Sequence, residues 1–472
     1  MGQEIETPRF APEDFAAFAL RVAEETDSFE RLESADGLAH DAYVGGFELE
    51  AWLVDRNYFP LPKNAAFLER VASPLVVPEL SRFNVELNGT PQVLGPGALE
   101  RLERELEATW RHCVRTAHSL GGTLVMIGIL PTVREQDLSL ANISRLNRFH
   151  ALNEQILKAR GGRPIRLDIR GRERLALAHA DVMLEAATTS FQVHLQTPAA
   201  EFARHFNASV ALSAPMVAVA ANSPFLFGAS LWDETRIPLF EQAADTGAAE
   251  SGLRRVTFGS GYLERGATEC FRENLEQFPA LLPMRCDGAQ FLPHLRLHNG
   301  TIWRWNRPLV GLEEGGRPHV RIEHRVMPAG PTIIDMIANA ALYLGAAHFL
   351  ARHGVVPESA LAFEVARENF YAAARDGLAA EIVWLDGRRV RLRSLLADEL
   401  VPIAHEGLRE LGFGADERDR YLDLIAARVR TGQTGAVWQR AHLERHGRDF
   451  FSLTADYLEH QRSGMPVHEW DV

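Results

Sequence analysis

Cysteine, basic charge and long apolar runs are all scarce in this sequence of 472 residues. The three cysteines, Cys113, Cys270 and Cys286, lack the spacing of a metal-binding motif, and their odd number favours reduced thiols. The longest apolar run, residues 210–221, is too short to cross a bilayer. Residues 1–10 contain no apolar core of a secretion signal. We therefore expect a cytoplasmic protein without a membrane partner.

Acidic residues outnumber basic ones, and the net charge at neutral pH is −13. Because nucleic-acid binding requires a basic surface, the composition predicts no nucleic-acid partner. The sequence contains neither a P-loop motif nor a glycine-rich dinucleotide motif after a strand, so a nucleotide would have to bind without them. Hydrophobic residues make up 46% and charged residues 24% of the chain, which is typical of a folded globular protein.

The periodicity of apolar residues predicts an α+β protein with a mainly helical last third. Helices are expected at 12–33, 97–119, 137–160 and 201–222, strands at 123–130, 188–197, 291–307 and 318–327, and a hairpin at 382–392. Segment 225–290 is rich in glycine, proline and aromatic residues, and we expect loops over a site there. We divide the chain into an N-terminal helical extension (1–40), a catalytic α+β body (41–345) and a helical C-terminal portion packed on that body (346–472).

Each of four expected strands, at 46–51, 84–88, 188–196 and 319–326, has one apolar face. The other face carries residue types that bind metal ions or phosphate. Residues two apart on a strand share a face. The polar faces hold carboxylates, amides, a histidine and arginines, namely Glu48, Glu50, Asn84, Glu86, Asn88, Gln192, His194, Arg321, Glu323 and Arg325. One such strand alone is typical of an antiparallel sheet with a solvent-exposed face. Lysine is absent from all four segments, however, and the repetition over four strands favours a functional site.

Carboxylates at this density repel one another unless cations lie among them. Oxygen-rich ligand sets suit Mg²⁺ or Mn²⁺ far better than zinc. Arginines beside the same acids can hold phosphate or carboxylate groups bidentately. Acids that hold magnesium, next to arginines that hold anions, indicate phosphoryl transfer from a nucleotide.

The order and spacing of these segments resemble the glutamate–cysteine ligases of the glutamine synthetase superfamily. Residues 46–50 are similar to the family's G-x-E-x-E strand, 79–86 to its E-L-x-x-x-Q-V-E element, and 321–325 to the superfamily's R-x-E-x-R strand. Residues 189–195 with 221–225 resemble the plant-type and related bacterial ligases, and 301–308 and 368–378 also fit. Each motif alone is unspecific, but together they are specific for the superfamily, less so for the substrate.

The resemblance implies an antiparallel sheet curved into a funnel-like active site, as in the glutamine synthetase-like catalytic fold, with helices packed on it. It implies one magnesium ion held by Glu50, Glu79 and Glu86. It implies a second ion, held by Glu48 and Glu323, that bridges the phosphates of ATP. The third ligand of this second ion stays open between Gln192, which is slightly preferred, and His194, which is otherwise expected next to phosphate.

The remaining roles implied by the resemblance concern anions and substrates. Arg321 would contact ATP phosphates or the substrate's α-carboxylate, and Arg325 would contact the γ-carboxylate as it becomes an acyl phosphate. Arg304 and Arg307 are further phosphate candidates. Asn88 and Trp303 are substrate candidates, although core packing explains Trp303 equally well.

The implied reaction is ATP-dependent activation of the γ-carboxylate of glutamate, followed by attack of an amine, most simply cysteine. Its partners are ATP, glutamate and that amine, with Mg²⁺ or Mn²⁺ as cofactor, and a homo-oligomer is compatible with the sequence. The alternatives are a related ligase with a different amine, a phosphotransferase on the same scaffold, and a catalytically silent relative that binds a metabolite. The silent relative predicts broken metal sites, whereas all five glutamates are present.

Overall fold

The computed structural model describes residues 4–39, 41–247, 254–284, 286, 290–313, 315–353 and 356–472. The strands are β1 (Val44–Val54), β2 (Val76–Pro78), β3 (Asn84–Asn88), β4 (Gln92–Val93), β5 (Thr123–Val125), β6 (Ile165–Arg170), β7 (Arg174–His179), β8 (Phe191–Gln196), β9 (Phe225–Leu226), β10 (Ala229–Ser230), β11 (Val256–Thr257), β12 (Trp303–Arg304), β13 (Asn306–Leu312), β14 (Pro318–His324), β15 (Glu381–Val383) and β16 (Arg389–Arg391).

The helices, in chain order, are α1 (Pro12–Ser34), α2 (Asn64–Val71), α3 (Ala98–Ser119), α4 (Asn147–Ala159), α5 (Phe202–Ala220), α6 (Arg236–Ala243), α7 (Thr268–Gln277), α8 (Pro293–Asn299), α9 (Ile333–Arg352), α10 (Pro357–Ala360), α11 (Phe363–Asp376), α12 (Leu392–Leu395), α13 (Val401–Glu410), α14 (Ala415–Thr431), α15 (Gly435–His446) and α16 (Phe450–Ser463). Short 3-10 turns separate several of them, and one of these, Val182–Ala187, leads into β8.

An antiparallel sheet with β1 near its middle organises the molecule. The strand order is β13-β14-β8-β1-β3-β2, and β4 and β5 pair with the two ends of β1. The long strand β1 connects the sheet because it pairs with both β3 and β8. The sheet curls into a half-barrel, which confirms the predicted α+β class and the curved antiparallel sheet.

The apolar face of the sheet packs on a layer of long helices. Phe47, Leu49 and Phe191 are buried in one cluster with residues of α5, α9, α13 and α14. The helices α9 and α13 approach closely, since a Cβ on Gly407 would lie 1.9 Å from the carbonyl oxygen of Gly345. Among the described residues, α9 has the length and hydropathy of a membrane span, but 83% of its apolar window is buried, as in a core helix.

The first and last described segments of the chain pack against the body. Ile5 and Phe18 share a second buried cluster with Trp438, Tyr457 and Trp470. The predicted boundary at 345/346 falls inside α9, which the sheet and the C-terminal helices share. The three-part division of the chain stays a prediction.

The structure corrects several of the predicted elements. Segment 291–307, predicted as a strand, forms helix α8 followed by β12 and the start of β13. Pro293 lies in the first turn of α8, where its fixed φ and missing N–H favour the start of a helix over a strand. In 137–160 only the second half is α-helical, and the hairpin β6–β7 that follows was not predicted. Segment 225–290 contains α6 and α7 besides loops. The hairpin around residues 386–387 is confirmed by β15 and β16.

Candidate active site

A cavity of about 240 Å³ lies on the polar face of the sheet. Strand alternation directs the apolar side chains into the helical layer, so the polar ones face this cavity. Its wall includes most of the residues selected from the sequence, namely Glu48, Glu50, Glu79, Glu86, Gln192, Trp303, Arg307, Arg321, Glu323 and Arg325. The strand register brings them together, because Glu50 is paired with Glu86, Glu48 with Gln192, and Glu323 with His194.

The first group of ligands comprises Glu48, His194 and Glu323. The Nε2 atom of His194 lies 3.5 Å from Oε1 of Glu48 and 3.7 Å from Oε1 of Glu323. Ligand atoms of all three residues lie within 4.8 Å of one another. This Nε2 is buried and has no hydrogen-bond partner, so an ion would satisfy it. Burial lowers the pKa of His194 to about 4, which keeps the imidazole neutral and able to donate a lone pair. These three residues fit a divalent cation.

Gln192 takes a different place from the one preferred in the sequence analysis. Its amide donates to Oε1 of Glu50 at 3.1 Å and accepts a hydrogen bond from Arg325. The structure therefore favours His194 over Gln192 as the third ligand beside Glu48 and Glu323. Alternation puts both side chains on one face, and only the strand register decides between them.

Arginines surround Glu323 on the same side of the cavity. Arg307 donates to both carboxylate oxygens, with Nε–Oε2 2.8 Å and Nη2–Oε1 2.9 Å, and Arg325 donates to Oε2 at 2.8 Å. Burial alone would raise the pKa of Glu323, but Arg307 and Arg325 hold it well below its usual value. Nε of Arg321 lies 3.3 Å from Nδ1 of His194. This side of the cavity can therefore receive additional anionic groups such as phosphates.

The second group comprises Glu50, Glu79 and Glu86, and it has few positive neighbours. Burial, followed by repulsion from Glu86, raises the pKa of Glu50 to about 7 despite Arg325. Burial and neighbouring carboxylates likewise raise the pKa of Glu79 to about 7 and that of Glu86 well above its usual value. A cation among these acids would relieve the repulsion. The assignment of a second ion to these three residues stays a prediction.

The structure does not bring Arg304 together with the other predicted phosphate contacts, because it is not among the residues that line the cavity. On β12, Trp303 faces the cavity, so the next residue faces the opposite way. The buried guanidinium of Arg304 forms an ion pair of 2.8 Å with Glu273 and a hydrogen bond with Asn274. Asn88 donates to Oε1 of Glu86 at 2.8 Å and thus supports the second group of acids.

The sequence analysis missed cavity residues that come from outside the four strands. Glu185 lies on the turn before β8, and Arg148 lies on α4. Arg148, Leu152 and Ile156 recur at the i, i+4 spacing of one helix face, which could have marked this face as a unit. Glu185 has no comparable signal in the sequence. Apolar side chains also line the cavity, among them Leu80, Phe149, Leu152, Ile156, Val182 and Leu282.

The model of glutamate–cysteine ligase family 2 matches residues 44–454 of the chain. Comparison with curated protein sequences gives no significant match. Among solved structures, the fold is similar to that of a glutamate–cysteine ligase from Francisella tularensis in complex with AMP (TM-score 0.56, 12% identity, 90% of each chain covered). It is also similar to a bifunctional glutathione synthetase from Pasteurella multocida (TM-score 0.51, 12% identity, 93% of this chain and 54% of that one). The family match covers most of the chain, including every strand of the cavity, and the chain therefore belongs to glutamate–cysteine ligase family 2, whose members are ATP-dependent carboxylate–amine ligases.

Proposed function

We propose that the protein uses ATP to convert the γ-carboxylate of glutamate into an acyl phosphate and then joins it to the amino group of cysteine. The observation that carries this proposal is the unequal charge balance of the two acid groups on one sheet face. Glu323 forms ion pairs with Arg307 and Arg325 beside Glu48 and His194, whereas Glu50, Glu79 and Glu86 form none among the described residues, and the pKa values of Glu50 and Glu86 are raised. The first side suits a nucleotide phosphate, and the second suits cations.

The residues of the first side would act on the phosphoryl group. Glu48, His194 and Glu323 would hold a divalent ion that, when bound, supplies positive charge to phosphate oxygens. Arg321 and Arg307 line the cavity beside these ligands and would orient the phosphates of ATP. Arg325 would position the γ-carboxylate of glutamate for in-line attack and stabilise the negative charge on the acyl phosphate.

The walls of the cavity would protect the acyl phosphate from water. Side chains from α8 and β13, including Leu295, Leu297 and Val310, line one part, and those from α4 and α6, including Leu152 and Phe240, line another. An apolar wall excludes the bulk water that would otherwise hydrolyse a mixed anhydride. The reaction therefore suits the shape and polarity of this cavity.

A second candidate is ligation of glutamate to a bulkier amine. Phe149, Leu152, Ile156 and Val182 form a larger apolar surface than the side chain of cysteine would cover. An acceptor with an apolar substituent would bury more surface there. Cytoplasmic localisation and the absence of nucleic-acid and membrane partners are further proposals that rest on the sequence alone.

The experiment is to measure ADP release with Mg²⁺, ATP and glutamate across a panel of amines, with product identified by mass spectrometry. We expect glutamate-dependent ADP release and a γ-glutamyl product that is greatest with cysteine. A greater yield with an amine that carries a larger apolar group would select the second candidate. Absence of glutamate-dependent ADP release with every amine would contradict both candidates and favour a silent relative.

A further inference from the structure

Glu185 is a cavity acid that the four strand motifs do not include. It lies on the turn Val182–Ala187 and lines the cavity together with Glu50 and Arg325. Within the part of the chain that the structure describes, its carboxylate has neither a hydrogen bond nor an ion pair. Burial, followed by repulsion from Glu50, raises the pKa of Glu185 to about 8, although Arg325 opposes the change. A partly buried carboxylate without a partner is stabilised by a cationic group of a ligand.

Arg148 is the complementary feature on the neighbouring helix α4. It lines the same cavity, and its guanidinium lies 4.6 Å from the ring centroid of Phe149. Its Nε is buried without a hydrogen-bond partner, and no ion pair of Arg148 occurs among the described residues. Arginine without a carboxylate partner in a cavity is available for an anionic group of a ligand.

Glu185 and Arg148 are both electrostatic neighbours of Glu79. Val182 at the start of the Glu185 turn donates its backbone N–H to Asn153 of α4, which ties the turn to the helix that carries Arg148. The negative Glu185 and the positive Arg148 lie on adjoining elements. They match the ammonium and the carboxylate of an amino acid, respectively.

Two amino acids take part in the proposed reaction, and the position of Glu185 distinguishes them. Its electrostatic neighbours are Glu50, which is expected to hold a cation, and Arg325, which is expected to position the reacting γ-carboxylate. The α-ammonium of glutamate is four bonds removed from the carbon of its γ-carboxyl group, whereas the acceptor's nitrogen must bond to that carbon. Glu185, which lies near the group expected to hold the reacting γ-carboxyl, is therefore placed to contact the acceptor's nitrogen.

We propose that Glu185 and Arg148 form the acceptor subsite, in which Glu185 holds the ammonium and accepts its proton while Arg148 holds the carboxylate. This inference rests on the proposed function. It makes the acceptor an α-amino acid rather than a simple amine.

The acceptor's ammonium gives one proton to the Glu185 carboxylate, and the resulting amine attacks the γ-carbonyl carbon of the acyl phosphate. The C–N bond forms, the bond from carbon to the phosphate oxygen breaks, and the departing phosphate takes the second proton as hydrogen phosphate. Glu185 then loses its proton to solvent.

The first experiment compares two nucleophiles in Glu185→Gln. Hydroxylamine is uncharged at neutral pH and needs neither an ammonium receptor nor a base, so it traps the acyl phosphate as a hydroxamate. We expect kcat/KM for ligation of cysteine to fall about 100-fold or more, while glutamate hydroxamate forms at close to the wild-type rate. Glu154→Gln, on the exposed face of α4, should leave both rates unchanged.

Equal loss of ligation and hydroxamate in Glu185→Gln, or loss of neither, would overturn the assignment of Glu185. If the variant melts well below wild type, Glu185→Asp provides the same comparison with the charge retained. Absence of hydroxamate in the wild-type enzyme would instead contradict the proposed function, so the two failures are distinguishable.

The second experiment compares cysteine with cysteamine, which lacks the carboxylate. In Arg148→Gln we expect KM for cysteine to rise about 10-fold or more, with KM for cysteamine and for glutamate unchanged. Arg145→Gln, at an exposed position just before α4, is the matched control. A rise in KM for glutamate, or equal effects on cysteine and cysteamine, would overturn the role of Arg148.

Discussion

Two groups of glutamates on one face of one sheet have opposite electrostatic environments. Arg307 and Arg325 form ion pairs with Glu323 and hold its pKa well below the usual value against the effect of burial. Across β1, burial and mutual repulsion raise the pKa values of Glu50 and Glu79 to about 7. All three residues are glutamates withdrawn from bulk solvent, Glu323 fully and Glu50 and Glu79 partly, and the charged neighbours decide the direction of each pKa shift. The contrast separates a side where arginines can hold phosphate next to a cation from a side where only cations can balance the acids.

Glu323→Gln should produce the largest change, because it removes the carboxylate that pairs with both Arg307 and Arg325. Arg307 and Arg325 would lose the charge that compensates them in a buried position. We expect the free energy of unfolding to fall by about 3 kcal/mol, measured by denaturant titration. Activity should fall at least about 1,000-fold, since a metal ligand and the alignment of both arginines are lost. Unchanged stability would show that the arginines do not depend on this carboxylate.

Glu86→Gln tests the other side and should affect activity without a loss of stability. Removing one of several mutually repelling carboxylates relieves the strain that raises its pKa. We expect ligation to fall about 1,000-fold while the melting temperature of the metal-free protein stays equal or rises. A melting temperature well below wild type would contradict the unequal charge balance of the two groups.

Arg325→Lys should have a smaller effect, which falls on turnover rather than on ATP affinity. Arg325 contacts both Glu323 and Gln192, and a lysine cannot reproduce these directed hydrogen bonds. We expect kcat to fall about 100-fold with KM for ATP changed less than about threefold, measured by steady-state kinetics. A variant with normal kcat and raised KM for ATP would assign Arg325 to nucleotide binding instead.

The smallest effect is a pH dependence of stability that Mg²⁺ abolishes. The pKa values of Glu50 and Glu79 rise from 4.5 in the unfolded chain to about 7 in the folded one. The folded state therefore binds protons more tightly, and its stability falls as pH rises through this range. We expect the melting temperature of metal-free protein to fall between about pH 5 and about pH 8. Added Mg²⁺ should restore it more at the higher pH; an equal effect at both values would contradict cation binding here.

The sequence alone predicts the sheet strands and the faces that carry their acids, because alternation on a strand has a fixed period of two. Register does not follow from that period, so alternation, which puts Gln192 and His194 on one face, cannot decide which of them lies beside Glu48 and Glu323. Residue type makes Arg304 a candidate for phosphate, but its place on β12 directs its side chain to Glu273, which residue type alone does not reveal. Glu185 and Arg148 come from a turn and a helix whose approach to the sheet depends on tertiary packing.

The central claim is that the two groups of glutamates converge around divalent cations. Anomalous diffraction from crystals of the enzyme soaked in Mn²⁺ with an ATP analogue tests it most directly. We predict one peak bounded by Glu48, His194 and Glu323 and a second among Glu50, Glu79 and Glu86. A map without a peak at either position, with these carboxylates directed apart into solvent, would contradict it.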